Sequence, residues 1–132
     1  MELVVADSCF YIEALRTKRQ PFLEMDRLAD AVEWATTGMV VLEVCRGLRS
    51  PALRDYFSGR YATMIYLPTT NLVWEHAARL AWSLDRKGQT IPAQDLVIAA
   101  TCLDHGARLL THDGHFNGIP GLTVAGSLSD LS

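Results

Sequence analysis

Residues 91–116, IPAQDLVIAATCLDHGARLLTHDGHF, decide how this chain folds. Pro92 suits the opening of a helix, the Ala- and Leu-containing run carries it to His105, and Gly106 is a natural stop. Residues 107–111 then read as a short buried strand, and Asp113-Gly114 as an ordinary turn pair. A helix that hands the chain directly to an apolar strand is characteristic of alternating α/β architecture.

The same alternation extends outward in both directions. Residues 3–6 form a short apolar run with two valines, read as a buried strand ending at Asp7, with a helix starting near Ser8. In residues 21–36, Phe22, Met25, Leu28, Ala29, Val32 and Ala35 recur at three- and four-residue spacings, which predicts an amphipathic helix closed by Gly38. Residues 39–42 read as a second strand leading into a short helix through Leu48. Pro51 opens a further helix that ends near Gly59. Residues 62–67 offer Met64, Ile65 and Tyr66 as a third strand. From Thr70, the positions Val73, Ala77, Leu80, Ala81 and Leu84 make one helical stripe that ends at Gly88. Residues 122–124 supply the last strand. The reading is α/β: one domain over residues 1–132, with a central parallel sheet of about five strands covered by helices on both faces.

Composition sets the outer limits. A chain of 132 residues, 49% hydrophobic and 20% charged, is long enough to bury roughly two thirds of the surface its unfolded form exposes. Arg, Lys, Asp or Glu interrupts every apolar run before the ~20 residues that a bilayer requires. The opening MELVVADS lacks the basic segment of a signal peptide, so a cytoplasmic location and no membrane partner are expected. Cys9, Cys45 and Cys102 have no CxxC spacing and are read as free thiols. The net charge of -3 argues against tight, purely electrostatic binding of nucleic acid. Local positive potential is still available from Arg46, Arg49, Arg54 and Arg60, and from Arg16, Lys18 and Arg19.

Four carboxylates stand at or beside the ends of apolar segments: Asp7 in LVVADS, Glu43 in VLEVCRG, Asp95 in IPAQDLVIAAT and Asp113 in LLTHDGHF. Each has an ordinary reading alone. Asp7 or Ser8 can cap a helix, Glu43 can pair with Arg46, Asp95 favours a helix N-terminus, and Asp113 suits a turn. In an open parallel sheet, however, ligands collect at the carboxyl ends of strands, near points where strand order reverses. Asp7 and Asp113 lie at such positions. Two like charges about 4 Å apart repel by roughly 4 kcal/mol at an effective dielectric near 20, so a cluster needs protons, basic partners or a cation. Oxygen-only ligands favour Mg²⁺ or Mn²⁺.

These segments resemble the motifs of PIN-domain ribonucleases, most closely toxins of the VapC type. VVADSCFYIEAL resembles the opening motif, LEVCRGL the second, residues 91–116 the long C-terminal block, and IPGLTV the closing strand. The resemblance implies an Mg²⁺- or Mn²⁺-dependent hydrolase of RNA phosphodiester bonds. Asp7, Glu43, Asp95 and Asp113 would be its catalytic and metal-binding acids, with Ser8 and Thr111 as supporting hydroxyls. Arg46, Arg49 and His112 are candidate RNA contacts. The implied partners are the RNA substrate, a small antitoxin and a second copy of the chain in a homodimer, for which Trp74 and Trp82 are candidate anchors; core packing explains both tryptophans equally well. Gln94 and His112 depart from the family pattern, which has a small or apolar residue and an Arg there, so substrate preference does not transfer. The alternatives are a PIN-fold RNA-processing nuclease that is not a toxin, and a non-catalytic partner-binding domain. A zinc site of His105, His112 and His115 is a poorer reading because no Cys pair accompanies it.

Overall fold

The computed structural model describes residues 1–131. In chain order the elements are β1 (Glu2–Ala6), α1 (Ser8–Arg16), α2 (Pro21–Asp26), β2 (Val32–Thr37), α3 (Gly38–Cys45) and α4 (Pro51–Tyr61), then β3 (Ile65–Leu67), α5 (Asn71–Arg86), α6 (Ala93–His105), β4 (Arg108–Leu110) and β5 (Val124–Ala125). Short 3₁₀ turns follow at Gly114–Gly118 and Leu128–Leu131. All five strands run parallel in the order β3-β2-β1-β4-β5. The chain builds outward from β1 through β2 to β3, then returns to β1's other side with β4. The switch point therefore lies between β1 and β4.

Successive residues of a strand face opposite sides of a sheet. Val4, Val5 and Ala6 are all 0% exposed, so both faces of β1 are covered, as the α/β reading expects. Helix α6 presents an unbroken buried run from Leu96 to Cys102 and is a central helix rather than a surface one. Helix α5 buries Val73, Ala77, Leu80 and Leu84 along one stripe and leaves its other side in solvent. No helix among the described residues is long and apolar enough to cross a membrane.

Two expected elements are corrected. The helix read over residues 21–36 stops at Asp26, and the second strand is Val32–Thr37 rather than residues 39–42. The spacing of Phe22, Met25 and Leu28 is helical, but VEWATT is rich in β-branched side chains and has Glu2–Val5 of β1 to pair with. Met39 and its neighbours are helical because the Thr37 hydroxyl caps α3, accepting from Val40 N at 3.3 Å. A four-residue apolar run by itself does not distinguish strand from helix.

Sharp local signals hold the remaining helices in place. Ser50 caps α4 through Leu53 N, with Pro51 in its first turn. Thr70 caps α5 through Val73 N, and Gly106 closes α6 with a left-handed φ of 66°. Under α4, the rings of Tyr11, Phe22, Phe57 and Tyr61 meet edge-on or tilted to form an aromatic end of the core.

Candidate metal centre

The switch point puts Asp7 and Thr111 on adjacent strand ends. Asp7 N donates to Leu110 O at 2.9 Å, extending the β1–β4 ladder by one bond. The Asp7 side chain is nearly buried, at 3% exposure. Its Oδ1 accepts from Ser8 N at 2.8 Å as the cap of α1, and its Oδ2 accepts from the Thr111 hydroxyl at 2.9 Å. Asp7 thus caps α1 with one oxygen and holds the end of β4 with the other. Thr111 Oγ1 also accepts from Asp113 N at 3.1 Å and lies 3.3 Å from Cys9 Sγ. One hydroxyl therefore ties the first of the four acids to the last.

Asp113 starts the 3₁₀ turn after β4, which folds His115 back over it. Its Oδ1 accepts from His115 N at 2.9 Å and lies 3.2 Å from His115 Nδ1. The same Nδ1 lies 3.3 Å from Asp95 Oδ2, reaching across to the first turn of α6. One ligand atom each from Asp95, Asp113 and His115 fall within 4.8 Å of one another. His115 was not among the expected acids' companions. The turn after β4 brings the His115 ring onto both carboxylates, and no local pattern in the sequence marks it.

Glu43 stands on α3, beyond the end of β2, within electrostatic reach of Asp7 and Asp95. Burial is the largest cause holding its pKa above the ordinary carboxylate value, Asp7 and Asp95 add to the rise, and the Ser8 hydroxyl and Arg46 pull the other way. Asp95 is likewise raised, first by burial and then by Asp7 and Asp113, with His115 opposing. Asp7 thus bears on both Glu43 and Asp95, and Asp113 bears on Asp95. Glu43 Oε1 is buried with no hydrogen-bond partner among the described residues. An orphaned carboxylate oxygen, two raised acids and an all-oxygen set with one imidazole at its edge fit a hard divalent cation.

The remaining candidates divide. Arg46 borders a shallow cleft of about 410 Å³ with Glu43, Gln94 and Trp74, whereas Arg49 borders a separate apolar groove with Ile12, Leu48 and Leu53. His112 is held by Glu13, with Nε2 to Oε2 at 2.6 Å. His105 Nδ1 lies 2.9 Å from Thr101 O within α6, so the three histidines of the zinc reading do not assemble. His76, read as a helix-surface residue, joins α5 to α6 through Asp104 at 2.7 Å. Trp34 donates to Met25 O from a half-buried position, while Trp74 and Trp82 are 51% and 63% exposed, which removes the core-packing reading for both. Cys9, Cys45 and Cys102 are free, as expected. Burial first, and Asp7 second, push the Cys9 thiol up to about 11 and Cys102 to about 12, so both are protonated and unreactive at neutral pH.

A family model described as PIN domain matches residues 4–122. Similar folds occur in several solved structures. A chain of DNA-bound VapBC from Salmonella typhimurium shares 19% identity, with a TM-score of 0.79 over 95% of this chain and 98% of that one. A chain of VapBC2 from Rickettsia felis, bound to a promoter DNA fragment, shares 18% at a TM-score of 0.78, covering 93% and 97%. A chain of a toxin–antitoxin complex from Klebsiella pneumoniae shares 22% at 0.69, covering 92% and 95%. No curated protein matches the chain in sequence.

Proposed function

We propose, from the premise that this chain belongs to the PIN-domain family, that it is a metal-dependent endoribonuclease and the toxin of a cytoplasmic toxin–antitoxin pair. The observation that carries the nuclease reading is the convergence of Glu43 and Asp95 on buried Asp7, and of Asp113 on Asp95, with Glu43 Oε1 buried and left unbonded. Such a cluster is poorly stabilised unless something positive joins it.

Asp7, Asp95 and Asp113 would hold Mg²⁺ or Mn²⁺ directly or through water, with Glu43 completing the shell or positioning the attacking water. A bound divalent ion supplies Lewis-acid stabilisation of the scissile phosphate and a more acidic water. Thr111 fixes the Asp7 carboxylate and the turn that carries Asp113. Ser8 steadies Glu43. His115 offers a ring N–H to the Asp95 and Asp113 carboxylates, and Arg46 offers a cation to an incoming phosphate beside Glu43. The deciding experiment compares wild type with Asp95→Asn on cellular RNA, with Mg²⁺, with Mn²⁺ and with chelator. Cleavage by both proteins alike rejects the mechanism.

The toxin reading draws support from the likeness to chains solved within toxin–antitoxin complexes. Expression should arrest growth, and co-expression of a small antitoxin that reaches the acidic pocket with an Arg or Lys should relieve it. A homodimer fits the exposed apolar side chains of α3 and α5, namely Leu42, Leu72, Trp74 and Trp82. Sedimentation of Trp74→Glu at micromolar concentration should show monomer where wild type shows dimer.

A further inference from the structure

A cleft of about 330 Å³ opens beside the acidic centre, between α1 and the carboxyl ends of β4 and β5. Its volume falls at the small end of ligand sites, roughly 300–1,000 Å³. Thr111 lines it while its hydroxyl holds Asp7, so one side chain separates the cleft from the acids. Phe10 and Leu110, both buried, form an apolar floor. Its polar rim includes Glu13, Arg19, His112, Ser127 and Ser129. Phe10 and Glu13 share one face of α1 because they stand three residues apart. Arg19 reaches the rim because Lys18 adopts a left-handed φ of 58° at the end of α1 and turns the chain back, with Arg19 N bonded to Ala14 O at 2.8 Å.

We infer that this cleft, a small apolar floor walled by Glu13, Arg19 and His112 one residue from the acidic centre, seats one unpaired guanine next to the scissile phosphate. The inference rests on the ribonuclease reading and assigns that site its base. Unpaired bases are read on their Watson–Crick edges and by burial of their ring faces. Guanine presents two adjacent N–H donors and a carbonyl oxygen on that edge. A carboxylate answers the pair of donors, and a guanidinium answers the carbonyl. His112 occupies one Glu13 oxygen and fixes the carboxylate's orientation. A carboxylate has about four lone-pair sites, so acceptor capacity remains for two N–H groups. Arg19 uses Nε and one Nη for Glu24 and, of about five N–H donors, keeps others for the base carbonyl. Adenine and cytosine place an acceptor where Glu13 needs a donor, and uracil has only one N–H.

The test is end-mapping of cuts in a randomised single-stranded RNA pool with Mg²⁺. It uses wild type, Asp95→Asn, Glu13→Gln, Arg19→Gln and, as a remote control, Glu33→Gln. Wild type should enrich guanine at one fixed position beside the break by roughly 10- to 100-fold over other bases. Glu13→Gln and Arg19→Gln should each bring that enrichment below about 3-fold and raise KM for guanine-containing substrates, and Glu33→Gln should change neither. Either cleft variant carries the test if the other fails to fold by circular dichroism. Cutting that depends on Asp95 but shows no base enrichment, enrichment of another base, or guanine enrichment untouched by the folded cleft variants overturns the guanine seat and leaves the nuclease standing. Absence of any Asp95-dependent cutting overturns the nuclease reading, and the guanine seat falls with it.

Discussion

Asp7 shows how much one residue carries when each of its atoms has a separate partner. Its backbone N–H extends the sheet, Oδ1 caps α1 and Oδ2 accepts from Thr111. Thr111→Val keeps the volume but removes the hydroxyl shared by Asp7, Cys9 and Asp113. Divalent-ion affinity, read by calorimetry, should fall about 10- to 100-fold, the usual cost of losing a partner that orients a ligand. The unfolding free energy in urea should drop by about 1–3 kcal/mol because a buried acceptor loses its donor. Asp95 predicts the opposite sign for stability. Its half-buried carboxylate faces the charges of Asp7 and Asp113. Asp95→Asn should therefore raise the Tm of the metal-free protein by a few degrees while reducing RNA cleavage to the level of chelated wild type. A fall in the metal-free Tm would mean that the acids are not in conflict. The four acids stand out in the sequence because each sits in a distinctive local context. His115 does not, because nothing local distinguishes an imidazole that will lie on a carboxylate from one that will face water.

At the scale of elements, helix boundaries follow caps, while the identity of one strand follows its neighbour. Thr37, Ser50 and Thr70 each accept from the backbone N–H three residues on, and all three helices start where those hydroxyls allow. Thr37→Ala should cost about 1 kcal/mol in urea denaturation. Because α3 carries Glu43, the same change should also weaken metal binding. Lys18 sits at the left-handed end of α1, where an L side chain is strained by roughly 1 kcal/mol. Lys18→Gly should recover part of that, raising the urea midpoint without changing the m-value. The segment from Pro21 to Thr37 illustrates what local pattern cannot reveal. Leu28, Ala29, Val32 and Ala35 satisfy a helical spacing, yet Val32–Thr37 pairs with β1 on one side and β3 on the other. The competing signal, β-branched residues in VEWATT, is decisive only once β1 is in place to accept it.

At the scale of the molecule, a cation held by the acidic centre would make folding and metal binding interdependent. Asp95 and Glu43 both bind their protons more tightly folded than unfolded, so each favours the folded state at low pH. That contribution is lost as pH rises from their ordinary values, 3.8 and 4.5, through their raised ones. The Tm of the metal-free protein should fall over that interval. Saturating Mg²⁺ or Mn²⁺ should restore it at pH 7 and have no effect near pH 4, as differential scanning calorimetry in chelator and in metal would show. A metal-independent Tm at pH 7 would contradict a hard-cation site. Sequence alone determined the α/β class, the parallel sheet and the order of the four acids, because buried runs, caps and glycine stops are local properties that survive any packing. Tertiary structure alone decided that 32–37 is a strand, that His115 joins Asp95 and Asp113, that His112 belongs to Glu13, and that Trp74 and Trp82 face outward. Each depends on distances between segments far apart in the chain, and periodicity along one segment carries no information about those distances.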